Sequence, residues 1–61
     1  MLNNPLLNDH QTILLNSKGY ELVQSNLDGQ YNLVDNRNGL VIHSTYKLSI
    51  MIKYLTGMKY I

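Results

Sequence analysis

The spacing of apolar and polar positions changes twice along the 61-residue chain, and each change marks a different kind of element. Near the N-terminus, apolar side chains recur every three or four residues, which is the spacing of one helix face. From Tyr20 onward they alternate with polar side chains, as in a half-buried strand. After Tyr46 the helical spacing returns. The pattern predicts one α+β domain with a short N-terminal helix, a three-stranded antiparallel meander and a C-terminal helix packed on one sheet face.

The first helix is predicted at about residues 6–17, with two alternative starts. The Asn4–Pro5 dipeptide supplies a cap followed by a proline at the first helical position. Alternatively, Asn8 caps a shorter helix, and Gln11 three residues later completes a weak capping box. Gly19 is free to take the left-handed conformation that ends a helix. The predicted apolar stripe contains Leu6, Leu7, His10, Ile13 and Leu14.

Three strands are predicted at about residues 20–25, 30–35 and 40–44. The dipeptides Asp28–Gly29 and Asn38–Gly39 separate them, and both are typical of tight hairpin turns. If each turn has an even number of loop residues, the alternation assigns the side chains to two faces. The predicted core face contains Tyr20, Leu22, Tyr31, Leu33, Leu40 and Ile42. The opposite face contains Glu21, Val23, Ser25, Asn32, Val34, Val41 and His43.

The last helix is predicted at about residues 46–56. Ser44 or Thr45 is the expected N-cap, and Gly57 is the expected stop. The stripe that covers the sheet contains Leu48, Met51, Ile52 and Leu55.

A second apolar row, formed by Ile50, Tyr54 and Met58, lies beside that stripe. The two rows together span roughly 200° at about 100° per residue, more than the ~100° stripe of an ordinary surface helix. The first helix can cover Ile50 and Tyr54, or it can lie on the valine face of the sheet. Either arrangement leaves one apolar strip open, which favours an interface over scattered surface hydrophobes.

The chain length favours an assembly, because a core of this size rarely supplies more than ~3–5 kcal/mol of stability. Disulfides are excluded by the absence of cysteine. Two histidines, His10 and His43, cannot complete a zinc site without carboxylates, so no metal or cofactor is expected. Oligomerisation is the remaining common means of stabilisation, and a homo-oligomer is therefore expected.

The formal net charge of +1 implies no strong field that would attract nucleic acid or anionic lipid. The N-terminus lacks the pattern of a signal peptide, and no apolar run approaches the ~20 residues that span a bilayer. We therefore expect a cytoplasmic protein without a membrane partner. The many Asn, Lys, Ile and Tyr residues indicate an AT-rich genome, such as that of a low-GC bacterium or its phages.

Catalysis is not expected. Asp9 and His10 are neighbours on a helix, where successive side chains point about 100° apart and do not form a dyad. His10 lies in the apolar stripe and is expected to be partly buried. His43 is expected either on the surface or as a pH-sensitive group in an interface.

We therefore predict a non-enzymatic protein-interaction module, in the concrete form of a phage-type regulator or inhibitor of a host protein. The predicted interface contains Lys47, Ile50, Lys53, Tyr54 and Met58. A secondary interface contains Val23, Val34, Val41 and His43.

The alternative is a nucleic-acid-binding module with a role in transcription or recombination. The sheet-plus-helix layout resembles the small DNA-binding modules at the start of some phage integrases, and a sheet can enter a groove or stack bases. A phosphate-binding surface needs several basic side chains close together. Here Lys18, Lys47, Lys53 and Lys59 are dispersed, which favours a solvated scatter of charges.

Overall fold

The computed structural model describes residues 6–61 and has the predicted order of elements. These elements are α1 (Asp9–Ser17), β1 (Tyr20–Gln24), β2 (Tyr31–Asp35), β3 (Leu40–Thr45) and α2 (Leu48–Gly57). The strands form one antiparallel sheet in the order β1-β2-β3. The α+β fold class and the meander are therefore confirmed.

Helix α1 begins at a capping box. The Asn8 Oδ1 atom accepts a hydrogen bond from the Gln11 amide at 2.8 Å, and the Gln11 side chain accepts one from the Asn8 amide at 3.2 Å. The shorter predicted helix is therefore correct, and Leu7 precedes it. The alternative start at Asn4–Pro5 lies outside the described residues. Gly19 has a φ of +87°, as expected for the residue that ends this helix.

Both helices pack on the same face of the sheet. The inner face carries Leu22 opposite Leu33, and α1 lies against β1 while α2 lies against β3. One buried cluster joins all these elements, and it contains Leu7, Leu15, Leu22, Leu33, Met51 and Leu55. The alternative with the first helix on the valine face is therefore wrong. Its predicted cover of Ile50 is wrong as well, because α1 lies over β1, at the sheet edge opposite β3, and Ile50 is 49% exposed.

The predicted stripe of the first helix is correct for Leu7, which is buried, and for Leu6, which packs against the core, but it is wrong in its phase within α1. The helix buries Thr12 and Leu15, whereas Ile13 is 53% exposed and His10 is exposed. The predicted stripe started from residues that precede the helix, so its helical spacing did not apply to them. The capping box at Asn8 sets which side chains of α1 reach the sheet.

A bulge in β3 changes the predicted faces. Val34 lies opposite Val41, but Leu33 lies opposite His43, so Ile42 has no partner on β2. One extra residue reverses the alternation of side chains. His43 therefore shares the inner face with Leu33, and its predicted place on the valine face is wrong. Leu40 and Ile42 are 60% and 42% exposed, so their predicted place in the core is wrong as well.

The predicted caps of α2 are also wrong. The N-cap is Lys47, whose extended backbone has φ −123° and ψ 126°, and no side chain caps the helix. The Ser44 hydroxyl instead donates to Asn32 Oδ1 at 2.7 Å across the sheet. Thr45 Oγ1 accepts from the Lys47 amide at 3.3 Å, in the bend before the helix.

Helix α2 ends later than predicted. Gly57 is its last residue, and Lys59 takes the left-handed conformation with a φ of +60°. The Lys59 amide donates to the Thr56 carbonyl at 3.1 Å, and the Tyr60 amide donates to the Leu55 carbonyl at 2.9 Å. These two bonds form a Schellman motif, in which Lys59 occupies the position usually held by glycine.

Lys47→Asp should stabilise the protein. An aspartate at the N-cap accepts a hydrogen bond from the first turn of α2, and its charge complements the helix dipole, whereas a lysine opposes it. We expect the free energy of unfolding in urea to rise by about 1 kcal/mol. Lys53→Asp makes the same charge change inside the helix and should give no gain. Equal gains from both variants would mean that net charge, not capping, is responsible.

Candidate interaction surfaces

The exposed apolar side chains are concentrated in the C-terminal half of the protein. Eight large apolar residues are exposed within residues 6–61, and two of them, Ile13 and Leu27, lie on α1 and in the β1–β2 turn. The other six lie on β3, on α2 or close to an end of that helix. Val41 lies on the outer face of the sheet opposite Val34, so we name the other five the β3–α2 surface: Leu40, Ile42, Tyr46, Ile50 and Met58.

A stack of two rings joins the elements of this surface. The His43 and Tyr54 rings are 3.8 Å apart between centroids and nearly parallel, with an interplanar angle of 6°. Ile42 is next to His43 in β3, and Ile50 and Met58 lie one helical turn on either side of Tyr54. The exposed Ile42 of β3 and the exposed Ile50 and Met58 of α2 therefore flank the stacked rings of His43 and Tyr54.

The sequence-predicted interface is only partly exposed. Ile50 and Met58 are 49% and 50% exposed, and Lys47 and Lys53 are also exposed. Tyr54 differs from these four residues, because it is half-buried against the core and its ring stacks on His43. The structure therefore makes Tyr54 an internal support for the residues on either side of it.

The aromatic contacts continue from Tyr54 across the inner face. The Tyr54 and Tyr60 rings meet edge to face at 6.4 Å, and the Tyr60 and Tyr20 rings are 4.6 Å apart. The side-chain hydrogen bond with Tyr20, followed by burial, raises the pKa of the Tyr60 phenol above its ordinary value. The C-terminal segment is thus tied to the start of β1.

The outer face of the sheet exposes less apolar surface than the valine row implied. Val23 and Val34 are half-buried, and only Val41 is exposed, at 53%. Val34 lies opposite Val41, whereas Val23 lies opposite the polar Asn32. His43, the fourth member of the predicted secondary interface, lies on the other face. These four residues therefore do not share one surface.

Sequence reasoning missed three members of the β3–α2 surface: Leu40, Ile42 and Tyr46. The bulge exposes Ile42, and no residue in the strand signals a bulge, because isoleucine fits a regular strand well. Tyr46 lies in the bend between β3 and α2, which the sequence assigned to the helix. A shorter predicted helix would have indicated that Tyr46 is available on the surface.

Asp35 and Arg37 form the only ion pair within residues 6–61. Asp35 Oδ1 accepts from the Arg37 amide at 2.9 Å and from Arg37 Nε at 3.1 Å, while Oδ2 accepts from Nη2 at 3.1 Å. The side-chain hydrogen bond with Arg37 is the main reason why the pKa of Asp35 is lowered. The carboxylate therefore organises the β2–β3 turn, and its oxygens are occupied by that role.

The Asp35–Arg37 pair should make stability depend on acid pH. Because the pKa of Asp35 is lower in the folded state, its contribution is present above the unfolded value of about 3.9 and is lost as the pH falls through the lowered pKa. Asp35→Asn should lower the Tm at neutral pH, and its difference from the wild type should shrink in acid. Arg37→Gln should show the same convergence. A difference that persists at low pH would contradict this role for the ionised pair.

Residues 6–61 contain neither a candidate metal cluster nor a membrane-spanning helix. No group of three or more His, Cys, Asp or Glu side chains within residues 6–61 could hold a metal ion. Neither of the helices in this part of the chain is long and apolar enough to cross a bilayer.

Comparisons of the chain with protein-family models, with curated proteins and with solved structures gave no match. Its function is therefore inferred from the surfaces described above.

Proposed function

We propose that the protein is a non-enzymatic interaction module that binds another protein through the β3–α2 surface. The supporting observation is that five of the eight large apolar residues exposed within residues 6–61 belong to this one region. Soluble monomers rarely expose contiguous apolar patches of more than a few hundred Å², and larger patches mark interaction sites. A small cytoplasmic regulator or inhibitor, which acts by occupying the surface of a host protein, is the form of this activity that we propose.

The arrangement of the polar side chains supports binding more than it supports catalysis. A catalytic centre needs a nucleophile or base held within hydrogen-bonding reach of a partner. Within residues 6–61, side-chain hydrogen bonds cap α1, bond to backbone carbonyls within both helices and hold the turns. Others join Asn32 with Ser44 and Tyr20 with Tyr60. The His43 ring is stacked on Tyr54. These arrangements stabilise the fold and leave the apolar surface to interact.

The same substitution, isoleucine to aspartate, at two positions tests the proposal. Ile50→Asp places a carboxylate in the β3–α2 surface, and Ile13→Asp places one on α1, at residues that are 49% and 53% exposed. Both variants should remain folded by circular dichroism. In affinity capture from a lysate of the native host, a discrete protein should bind the wild type and Ile13→Asp, and about tenfold less should bind Ile50→Asp, for a loss of about 1.4 kcal/mol.

Nuclease treatment and a second tag separate the alternatives in the same capture. Recovery that disappears with nuclease would replace the proposal with the nucleic-acid-binding alternative. Recovery of a differently tagged copy of the chain would identify the partner as a second copy and support the expected homo-oligomer. Equal losses from the Ile50 and Ile13 variants would mean that the β3–α2 surface is not the binding surface.

A further inference from the structure

The charged side chains are divided unequally along the chain. Up to residue 35, one lysine stands against four carboxylates, which gives a side-chain charge of −3. From residue 36 onward, four basic residues and no carboxylate give a side-chain charge of +4. The first part contains α1, β1 and β2, and the second contains β3 and α2. The β3–α2 surface therefore lies entirely in the basic part.

Three lysines at this surface lack an acidic partner among residues 6–61. Arg37 is paired with Asp35, but no ion pair within the described residues includes Lys47, Lys53 or Lys59. All three are exposed. Lys47 precedes the first turn of α2, Lys53 adjoins Tyr54, and Lys59 follows Met58. The exposed apolar row of α2 is thus bounded by uncompensated positive charge.

The free edge of β3 adds unpaired backbone groups to the same surface. β3 pairs only with β2, and although a bulge at Ile42 interrupts this edge, Leu40–Thr45 contains no Asp, Glu, Lys, Arg or Pro that would protect it. The other edge strand, β1, carries Glu21 and lies in the acidic part of the chain. An extended segment of a partner can therefore add to the sheet beside β3 by backbone hydrogen bonding.

On the basis of the proposed function, we infer that the partner contributes an extended acidic segment that adds beside β3. Its apolar side chains would pack against the exposed residues of the β3–α2 surface. Its carboxylates would lie near Lys47, Lys53 and Lys59. Opposite charges at the rim of an interface favour the right partner and disfavour a basic one.

Three other occupants fit the surface less well. A second copy related by a two-fold axis would bring the lysines of one chain against those of the other. A lipid surface cannot satisfy the free backbone groups of an edge strand. Nucleic acid would need clustered cations and several free aromatic rings, whereas the lysines are separated along α2 and Tyr46 is the only exposed tyrosine within residues 6–61.

A peptide selection tests this inference directly. Random peptides of strand length are displayed and selected on the immobilised full-length protein. A parallel selection uses the folded triple variant Lys47→Glu, Lys53→Glu, Lys59→Glu. The wild type should enrich peptides in which Asp and Glu outnumber Lys and Arg and apolar residues recur at alternate positions. The triple variant should not enrich acidic peptides. Enrichment of neutral or basic peptides on the wild type would overturn the inference.

The best selected peptide then reports the position and the charge dependence of binding. Lys47→Glu combined with Lys53→Glu should weaken its binding about tenfold. Lys18→Glu makes one such charge change at the end of α1 and should leave binding nearly unchanged. Binding should also slow hydrogen exchange at β3 amides. Unchanged exchange in β3, or equal losses from both sets of variants, would contradict strand addition beside the lysines.

Two competitors complete the test. Vesicles of phosphatidylcholine with phosphatidylglycerol and a single-stranded oligonucleotide should not displace the selected peptide, and displacement by either would overturn the inference. If the peptide experiments fail while capture from the lysate stays sensitive to Ile50→Asp, the inferred partner chemistry is wrong and the proposed function stands. If that sensitivity is also absent, the proposed function fails.

Discussion

Leu33→Ala should leave most of the protein unfolded at room temperature. Leu33 is fully buried in the central strand and lies opposite both Leu22 and His43 on the inner face. Truncation of a buried leucine costs about 2–5 kcal/mol, because the lost transfer free energy is joined by the cost of a cavity. A core of this size supplies only ~3–5 kcal/mol in total. The loss is therefore comparable with the whole stability of the fold.

Leu27→Ala is the matched control for this prediction. Leu27 is 98% exposed in the β1–β2 turn, so the same truncation removes no buried surface. Circular dichroism and urea denaturation should show an unchanged midpoint for Leu27→Ala and a largely unfolded baseline for Leu33→Ala. A Leu33→Ala variant that unfolds cooperatively near the wild-type midpoint would contradict the described core.

Tyr54→Ala should cause the largest loss of stability after that of Leu33→Ala. The ring is half-buried against the core and contacts both His43 and Tyr60. Aromatic pairs contribute about 0.5–1.5 kcal/mol each beyond the area that they bury. With the lost burial added, we expect the free energy of unfolding to fall by about 2–3 kcal/mol. The near-ultraviolet circular dichroism should also change, because the aromatic contacts are lost.

Tyr46→Ala separates internal support from surface exposure. Tyr46 is 66% exposed in the bend before α2, so its truncation should leave the urea midpoint nearly unchanged. If Tyr54→Ala instead retains the wild-type midpoint and loses only partner capture, Tyr54 is an interface residue, as the sequence pattern alone predicted. The pair of variants therefore decides between the two roles.

The order of the elements could be predicted because local signals agree along the chain. The Asp28–Gly29 and Asn38–Gly39 dipeptides separate three alternating runs, and Gly29 and Gly39 have φ values of +74° and +73°. The pairing of Leu22 with Leu33 follows from this alternation. The phase of β3 could not be predicted, because a bulge depends on packing between strand and helix. His43 contacts Tyr54 only because the unpaired Ile42 forms a bulge, which turns His43 to the inner face.

The candidate surface was predictable to the extent that it depends on helical geometry. Two apolar rows on one helix cannot both face a single sheet, and Ile50 and Met58 are indeed half exposed. The contribution of β3 depends on the bulge and on the placement of both helices over one face. Neither is encoded in a local pattern. The uncapped start of α2 at Lys47 also breaks a local rule, and such departures concentrate at functional sites.

Site-specific crosslinking tests the central claim, that the β3–α2 surface contacts the partner. The chain has no cysteine, so a single introduced thiol carries a photoreactive maleimide at one known position. Leu40→Cys and Met58→Cys place the label on the surface, and Ile13→Cys places it on α1. We predict covalent adducts with the captured protein from the first two labels and none from Ile13→Cys. Adducts from Ile13→Cys alone would contradict the claim.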